Sequence, residues 1–405
     1  MIIVDFSYPL LLSMVATVCT CIFKALSVFL TDKVLPIAAF YNSKCGVSVN
    51  SLAELVVDKN PRVRARCCAM LAFFVVCLPD RYDHHQRLLP YLLSFYHDDV
   101  ATTQQMAIGA VDNCGEQYEA EHPEDIIERR QYGVDGDSHC NHMVELPSPF
   151  CSRPRLGARL FVRGNTKRFF AALLSELTSW TSRTRLQSAS LLKVLIVYCE
   201  EHLTMDFHQT LPLIVKALQL AREEQEKDKQ STLAHMLSDV LELIGRYVDP
   251  DAYIPLILPR ILGDPKSATT YSEGGFHSEA SRSAYAVALE AMLRGALAKR
   301  LLSHILKLLP ALSSGGAIGE YVGTRAKLDT LRALVVLLER IKGKAISGAL
   351  TAHYQETGRL SNLKEVLSSC RSALSDLICR ERRDDIVDLG KRGLQALPKE
   401  HLHLK

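Results

Sequence analysis

Four Leu-Pro steps set inside runs of apolar residues place the tightest constraint on what this chain can fold into. Leu88, Leu89, Leu92, Leu93 and Tyr96 recur at helical spacing around Pro90. Leu211, Leu213, Ile214 and Leu218 do so around Pro212, Ile257, Leu258 and Leu262 around Pro259, and Leu308, Leu309 and Leu312 around Pro310. Pro212, Pro259 and Pro310 follow one another at intervals of 47 and 51 residues, and the segment around Ala171 fits the same frame 41 residues before Pro212. Each of these helices leads through a short polar turn into a second apolar helix. One such pair cannot bury its apolar face alone, whereas stacked neighbours bury it continuously. The spacing therefore predicts an all-α array of helix pairs, and 405 residues exceed what one ordinary core takes.

Periods of about 40–47 residues with two helices each are the HEAT and armadillo signature. The expected fold is an all-α, HEAT/armadillo-like, right-handed helical-repeat solenoid. The second helices agree with it. Residues 58–75 place Pro61 at a helix start and Val63, Cys67, Met70, Leu71 and Phe74 on one face. Residues 179–198 and 322–341 repeat the arrangement. An arginine stands just inside each second helix, at Arg64, Arg185 and Arg325, the position from which a HEAT arginine bonds to the preceding turn. Only Asp58 offers a matching aspartate, so an incomplete Asp–Arg ladder is expected. The residues expected to shape the repeats are thus Arg64, Pro90, Trp180, Arg185, Pro212, Pro259, Pro310 and Arg325.

Helical pairs are expected over 50–118 and 156–342, with less regular helices over 343–405. Residues 119–155, polar and rich in proline and glycine, read as a long loop between repeats. Residues 264–276 read as a shorter loop. No long period-two alternation occurs, so strands are not expected. The first 49 residues form an apolar segment, read as an atypical helix or a mis-set translation start. Within it Phe6 to Phe23 is 18 residues without a charge, close to the roughly 20 of a membrane span. Asp5, Pro9 and the lack of Lys or Arg before it argue against a signal or anchor, so no membrane role is expected.

Net charge is +3, with no long Lys/Arg run, which excludes a nucleic-acid footprint. Twelve cysteines suggest disulfides at first sight. Cys67, Cys68, Cys77, Cys114 and Cys199 lie instead inside apolar helical patterns, where free cysteine acts as a small hydrophobe. No Asn-x-Ser/Thr sequon occurs. A reducing, cytoplasmic setting follows.

Candidates for chemistry are sparse. His139, Cys140, His142 and Cys151 cluster in the long loop, but without the spacing of a structural zinc site. His84 and His85 read as a polar helix start, and Cys199 with His202 lacks a third orienting group. Trp180, the only tryptophan, is expected to pack over its helix–helix turn, with an interface anchor as the alternative. The run 222–229 reads as a solvated turn and helix start, and 378–385 as a solvated face, with a basic–acidic docking edge as the alternative. Without a phosphate loop, paired catalytic carboxylates or an HExxH motif, no enzyme, metal or cofactor is expected.

Longer stretches carry a resemblance. Asp80-Arg81-Tyr82 precedes the Leu88-Leu89-Pro90 helix. A Pro-rich loop then leads into Arg153-Pro154-Arg155-Leu156-Gly157 and a helix pair whose turn reads from Trp180 to Thr184-Arg185. With residues 247–262 these resemble, over roughly residues 51 to 310, the HEAT-repeat dynein axonemal assembly factor (factor five) family. Members of that family usually carry further repeats ahead of the Asp-Arg-Tyr stretch, where this chain has its apolar segment, so the sequence reads as one lacking them. The resemblance implies a non-catalytic cytoplasmic scaffold that preassembles outer and inner dynein arms for cilium or flagellum motility. Its implied partners are axonemal dynein heavy or intermediate chains, chaperones and other assembly factors. A generic HEAT scaffold, of the phosphatase-subunit or transport-adaptor type, is the alternative.

Overall fold

Capping residues fix where the helices begin. In this computed structural model, residues 41–42, 49–131, 146–227, 232–263, 278–342 and 344–398 are described. Asn60 accepts a hydrogen bond from the Arg62 N–H, with Pro61 as first helical residue. Asp249 repeats this before Pro250, accepting from the Asp251 N–H at 2.9 Å. Ser278 caps through the Ser281 N–H. At the other end Gly263 closes its helix at φ 70°, a left-handed conformation that glycine adopts without strain.

The order is α1 (Ser51–Val56), α2 (Pro61–Cys77), α3 (Arg81–Ser94), α4 (Ala101–Glu121), α5 (Pro123–Gln131), α6 (Leu156–Glu176), α7 (Ser182–Cys199), α8 (Phe207–Lys227) and α9 (Leu233–Tyr247). It continues with α10 (Pro250–Leu262), α11 (Glu279–Gly295), α12 (Ala298–Leu301), a 3-10 turn at Leu302–His304, α13 (Ile305–Leu312) and α14 (Gly315–Ile318). The last helices are α15 (Thr324–Lys342), α16 (Lys344–Glu356), α17 (Leu360–Arg380) and α18 (Asp384–Ala396).

Two expectations are corrected. Tyr41–Asn42 pairs antiparallel with Val49–Asn50, so a two-residue ladder exists where no strand was expected. The 119–155 loop is also partly helical: α4 runs on to Glu121, and Pro123 opens α5 as its first residue. The pattern hides α5 because it buries a single apolar contact, Ile126 against Leu156, Leu160 and Tyr118. The 264–276 loop, the apolar stretch 6–23 and His139, Cys140 and His142 lie outside the described residues. No helix among the described residues is long and apolar enough to cross a membrane.

The chain forms two compact units, one of residues up to Leu173 with Ser190–Cys199, the other of Leu174–Ala189 with Glu200 onward. In the first, α2 packs on α3 and α4 and buries Val63, Cys67, Cys68, Leu71 and Phe74. Phe150 sets its ring 5.7 Å from Tyr96 and 5.6 Å from Tyr198, whose hydroxyls share a buried 2.6 Å hydrogen bond. In the second unit α9, α11, α15 and α18 pack on one another in that order. Helices α9 and α11 approach so closely that a Cβ on Gly295 would stand 1.8 Å from the Glu242 carbonyl oxygen, and one on Gly245 would stand 2.0 Å from that of Met292.

Candidate binding surface and the joints that hold it

The fourth residue of a second helix faces both the turn behind it and the next pair. Arg64 takes this place in α2: it donates to the Asp58 carbonyl at 2.8 Å and, 34 residues on, to the Asp98 carboxylate at 2.7 Å and to Asp99. Burial pushes the Asp98 carboxyl up, but hydrogen bonds from Arg64 and the Val100 N–H outweigh it and hold the group below the usual range. Gln104, fourth in α4, donates to the Asp98 carbonyl at 2.6 Å. Arg185, fourth in α7, donates to the Ser179 carbonyl at 2.9 Å and grips both Glu224 oxygens at 2.6 Å. In α11, Arg282 reaches the Ile261 carbonyl at 3.0 Å and that of Gly316 at 2.5 Å.

In α15 the fourth residue is Lys327, which bonds Glu381 at 3.0 Å and holds that carboxyl below its ordinary value. Arg325 stands two residues earlier. Its backbone N–H donates to Glu279 at 2.7 Å, and its guanidinium pairs at the surface with Glu226 at 2.8 Å. Of the three arginines expected just inside their second helices, Arg64 and Arg185 stand fourth and Arg325 second, and the expectation did not name Gln104, Arg282 or Lys327. Arg282 is hidden behind the long 264–276 insertion. Lys327 would have been found by counting from the helix start instead of looking for an arginine.

Pro90, Pro212, Pro259 and Pro310 all lie inside first helices: α3, α8, α10 and α13. Each removes one internal N–H bond. One turn after Pro90, the Ser94 hydroxyl donates back to the Pro90 carbonyl at 2.7 Å. His84 and His85, read as a polar helix start, are instead buried; His84 bonds its capping Asp80 at 2.9 Å. His85 donates from Nε2 to the Val75 carbonyl at 2.8 Å, and burial lowers its pKa.

The run expected as a solvated turn and helix start does more over residues 222–226. Near the carboxyl end of α8, Arg222 bonds Ser283 of α11 at 2.8 Å and Asp329 of α15 at 2.9 Å. Asp329 is 0% exposed and also accepts from Ser283 at 2.5 Å and Arg332 at 3.0 Å. Little more than one turn of α8 therefore engages α7 through Glu224, α11 through Arg222, and α15 through Arg222 and Glu226.

Trp180 corrects the sequence reading. It does not pack over its turn but stands 93% exposed, two residues before α7. Tyr321 occupies the corresponding turn before α15 and is fully exposed. Nothing in the pattern marked it except the flanking Gly319 and Gly323. An exposed indole and phenol on the turns before second helices are the large amphipathic groups that anchor protein interfaces.

Successive helix pairs, tied at the fourth residue of the second helix, define a helical-repeat protein of the HEAT kind. Residues 145–347 match the family model of the dynein axonemal assembly factor 5 HEAT-repeat domain, and residues 24–129 match that of dynein axonemal assembly factor 5-like TPR repeats. The chain belongs to the dynein axonemal assembly factor 5 family. It is 27% identical to the human protein of that name over 220 residues, which is 54% of this chain and 24% of the human one. The Xenopus laevis protein is 25% identical over 65% of this chain and 28% of its own length. The chain thus spans about a quarter of the curated relatives it matches. Among solved structures, a TOG-domain array of microtubule polymerases aligns with 88% of this chain and 70% of its own, at 14% identity and a TM-score of 0.35.

Proposed function

We propose that the chain is a non-catalytic scaffold for the cytoplasmic preassembly of axonemal dynein arms, outer and inner, in support of cilium or flagellum motility. Family membership is the observation that carries this reading, since the relatives are named as dynein axonemal assembly factors. Dynein heavy or intermediate chains, with their chaperones and other assembly factors, are the proposed partners. Trp180 and Tyr321 are proposed as anchors for them, with the fourth-position joints keeping the turns rigid. Rigid turns lower the ordering cost of binding, and exposed aromatics supply contact area with few rotamers to freeze.

Affinity purification of the tagged chain tests the proposal. Axonemal dynein chains and chaperones are expected in the eluate, and the double change Trp180→Ala, Tyr321→Ala is expected to reduce them while leaving the helix signal intact. An eluate of phosphatase or transport proteins alone would replace this reading with the generic scaffold. Deleting the protein is expected to leave flagella present but poorly motile, with dynein heavy chains depleted from the cytoplasm because an unassembled client is open to degradation.

A further inference from the structure

Helices α2 and α4 turn matching stripes to solvent. In α2 the stripe is Arg62, Arg66, Ala69 and Phe73; in α4 it is Thr102, Met106, Gly109 and Asn113, at the same steps of four, three and four residues. The two helices lie side by side in the first unit. Cys68 donates to the Thr103 carbonyl at 3.7 Å, Cys114 to that of Val75 at 3.6 Å, and the Gln117 amide to that of Val76 at 3.1 Å. The stripes therefore share one face. Ala69, Phe73 and Gly109 are half-buried on it, and Met106 is 38% exposed.

Two features of this face disfavour the chain on its own. Gly109 stands mid-helix, where glycine is a poor helix former, and a Cβ there would meet nothing. The glycines that let α9 and α11 close on each other have a facing backbone to explain them, and Gly109 has none. Gly164 and Gly348 are as open, but no exposed large apolar side chain stands three or four residues from either. Arg62 and Arg66 stand one turn apart at the start of α2, where the helix dipole and their mutual repulsion both oppose cations. The first turn holds no acid to offset them. Among the described residues neither guanidinium has an ion pair or hydrogen bond, whereas Arg64 between them has Asp98 and Asp99. The carboxylates of the face lie at its far end: Asp112, and Glu116, which pairs with Arg155.

We propose that this face takes one amphipathic helix of a partner protein, its apolar side on Phe73, Met106 and Gly109 and its acidic residues against Arg62 and Arg66. A glycine lets the incoming backbone come close, and a methionine adapts to the side chains that arrive with it. Charge decides which helix fits, since a basic one meets repulsion at the two arginines. The face belongs to the first unit, whereas Trp180 and Tyr321 belong to the second, and nothing in it depends on the dynein reading.

Fluorescence anisotropy of two synthetic helical peptides with the purified full chain tests the assignment. Each peptide has about 20 residues, with leucines along one side and either glutamates or lysines along the other. The glutamate peptide is expected to bind saturably and the lysine peptide not to bind. Arg62→Ala with Arg66→Ala should weaken the glutamate peptide about tenfold, as the loss of two exposed charge pairs does, and flatten its salt dependence. Gly109→Ala should raise the thermal midpoint of the free chain, because alanine favours helix where space is open. It should nevertheless weaken the peptide about tenfold, the scale of one methyl group forced into a packed contact. A glycine with a merely structural role cannot give these opposite signs. Lys167→Ala with Arg168→Ala, exposed on α6, is the control and should leave binding unchanged. Absence of saturable binding, equal binding of the two peptides, or binding untouched by Gly109→Ala overturns the proposal.

Discussion

Arg185 is held from both sides, by the Ser179 carbonyl behind it and the Glu224 carboxylate ahead. Its side chain is 7% exposed, so truncation strands polar partners at a partly desolvated joint. Arg185→Ala is expected to cost about 1–3 kcal/mol in urea unfolding, as charge-assisted hydrogen bonds do. Arg325→Ala removes only a surface pair with Glu226 and should cost less than about 1 kcal/mol. Equal losses at the two sites would refute the register argued for the fourth position. Trp180→Ala should be silent in the same assay, within about 0.5 kcal/mol, because the ring touches solvent. As the only tryptophan, it should emit like free indole in water and shift to the blue when a partner covers it. Acid acts at His85. Its folded pKa lies below the ordinary value of about 6.5, so the unfolded chain takes up the proton first. The stability present above pH 6.5 is therefore lost as pH falls from there toward the folded pKa. Unfolding midpoints at pH 7.5 and 5.5 should show the loss, and His85→Gln should lessen it.

At the scale of helices, close approach decides more than apolar pattern. Gly245 and Gly295 let α9 and α11 meet backbone to backbone, so either Gly→Ala change must push the pair apart. Each is expected to destabilise by about 1–3 kcal/mol, the range for overpacking, read from thermal unfolding of the two variants. Thiol reactivity reports the same packing. Burial raises Cys67, Cys68 and Cys114 to about 12, so native protein should expose only Cys77, Cys151 and Cys379 among its described cysteines to a thiol reagent. Early labelling of Cys68 would contradict the packing of α2 on α4. The helices themselves were legible because Leu-Pro runs and capping residues are local signals. Lys327, Tyr321 and the Arg222–Asp329 contact were not, because each depends on which turn or helix lies opposite, and periodicity along one strand of sequence carries no such information. Trp180 was misread for a related reason: apolar character predicts burial only where a neighbour exists to cover it.

Across the whole molecule, stability in a repeat array is ordinarily a sum of each repeat and its contacts with the next, so unfolding spreads from the ends. The Arg222–Asp329 bond departs from that rule. It joins residues 107 positions apart and passes over the pair that holds Ser283, which shares the same carboxylate. Breaking it by Asp329→Ala removes the buried carboxylate and leaves the half-buried Arg222 with the Ser283 hydroxyl alone, a loss of about 1–3 kcal/mol for charge-assisted hydrogen bonds. The mechanical consequence is specific. Stretched by its ends in an optical trap, a chain coupled only to nearest neighbours yields in a staircase, one pair at a time. Here the length from α8 to α15 should let go in a single rip, and in Asp329→Ala that rip should separate into smaller steps at lower force.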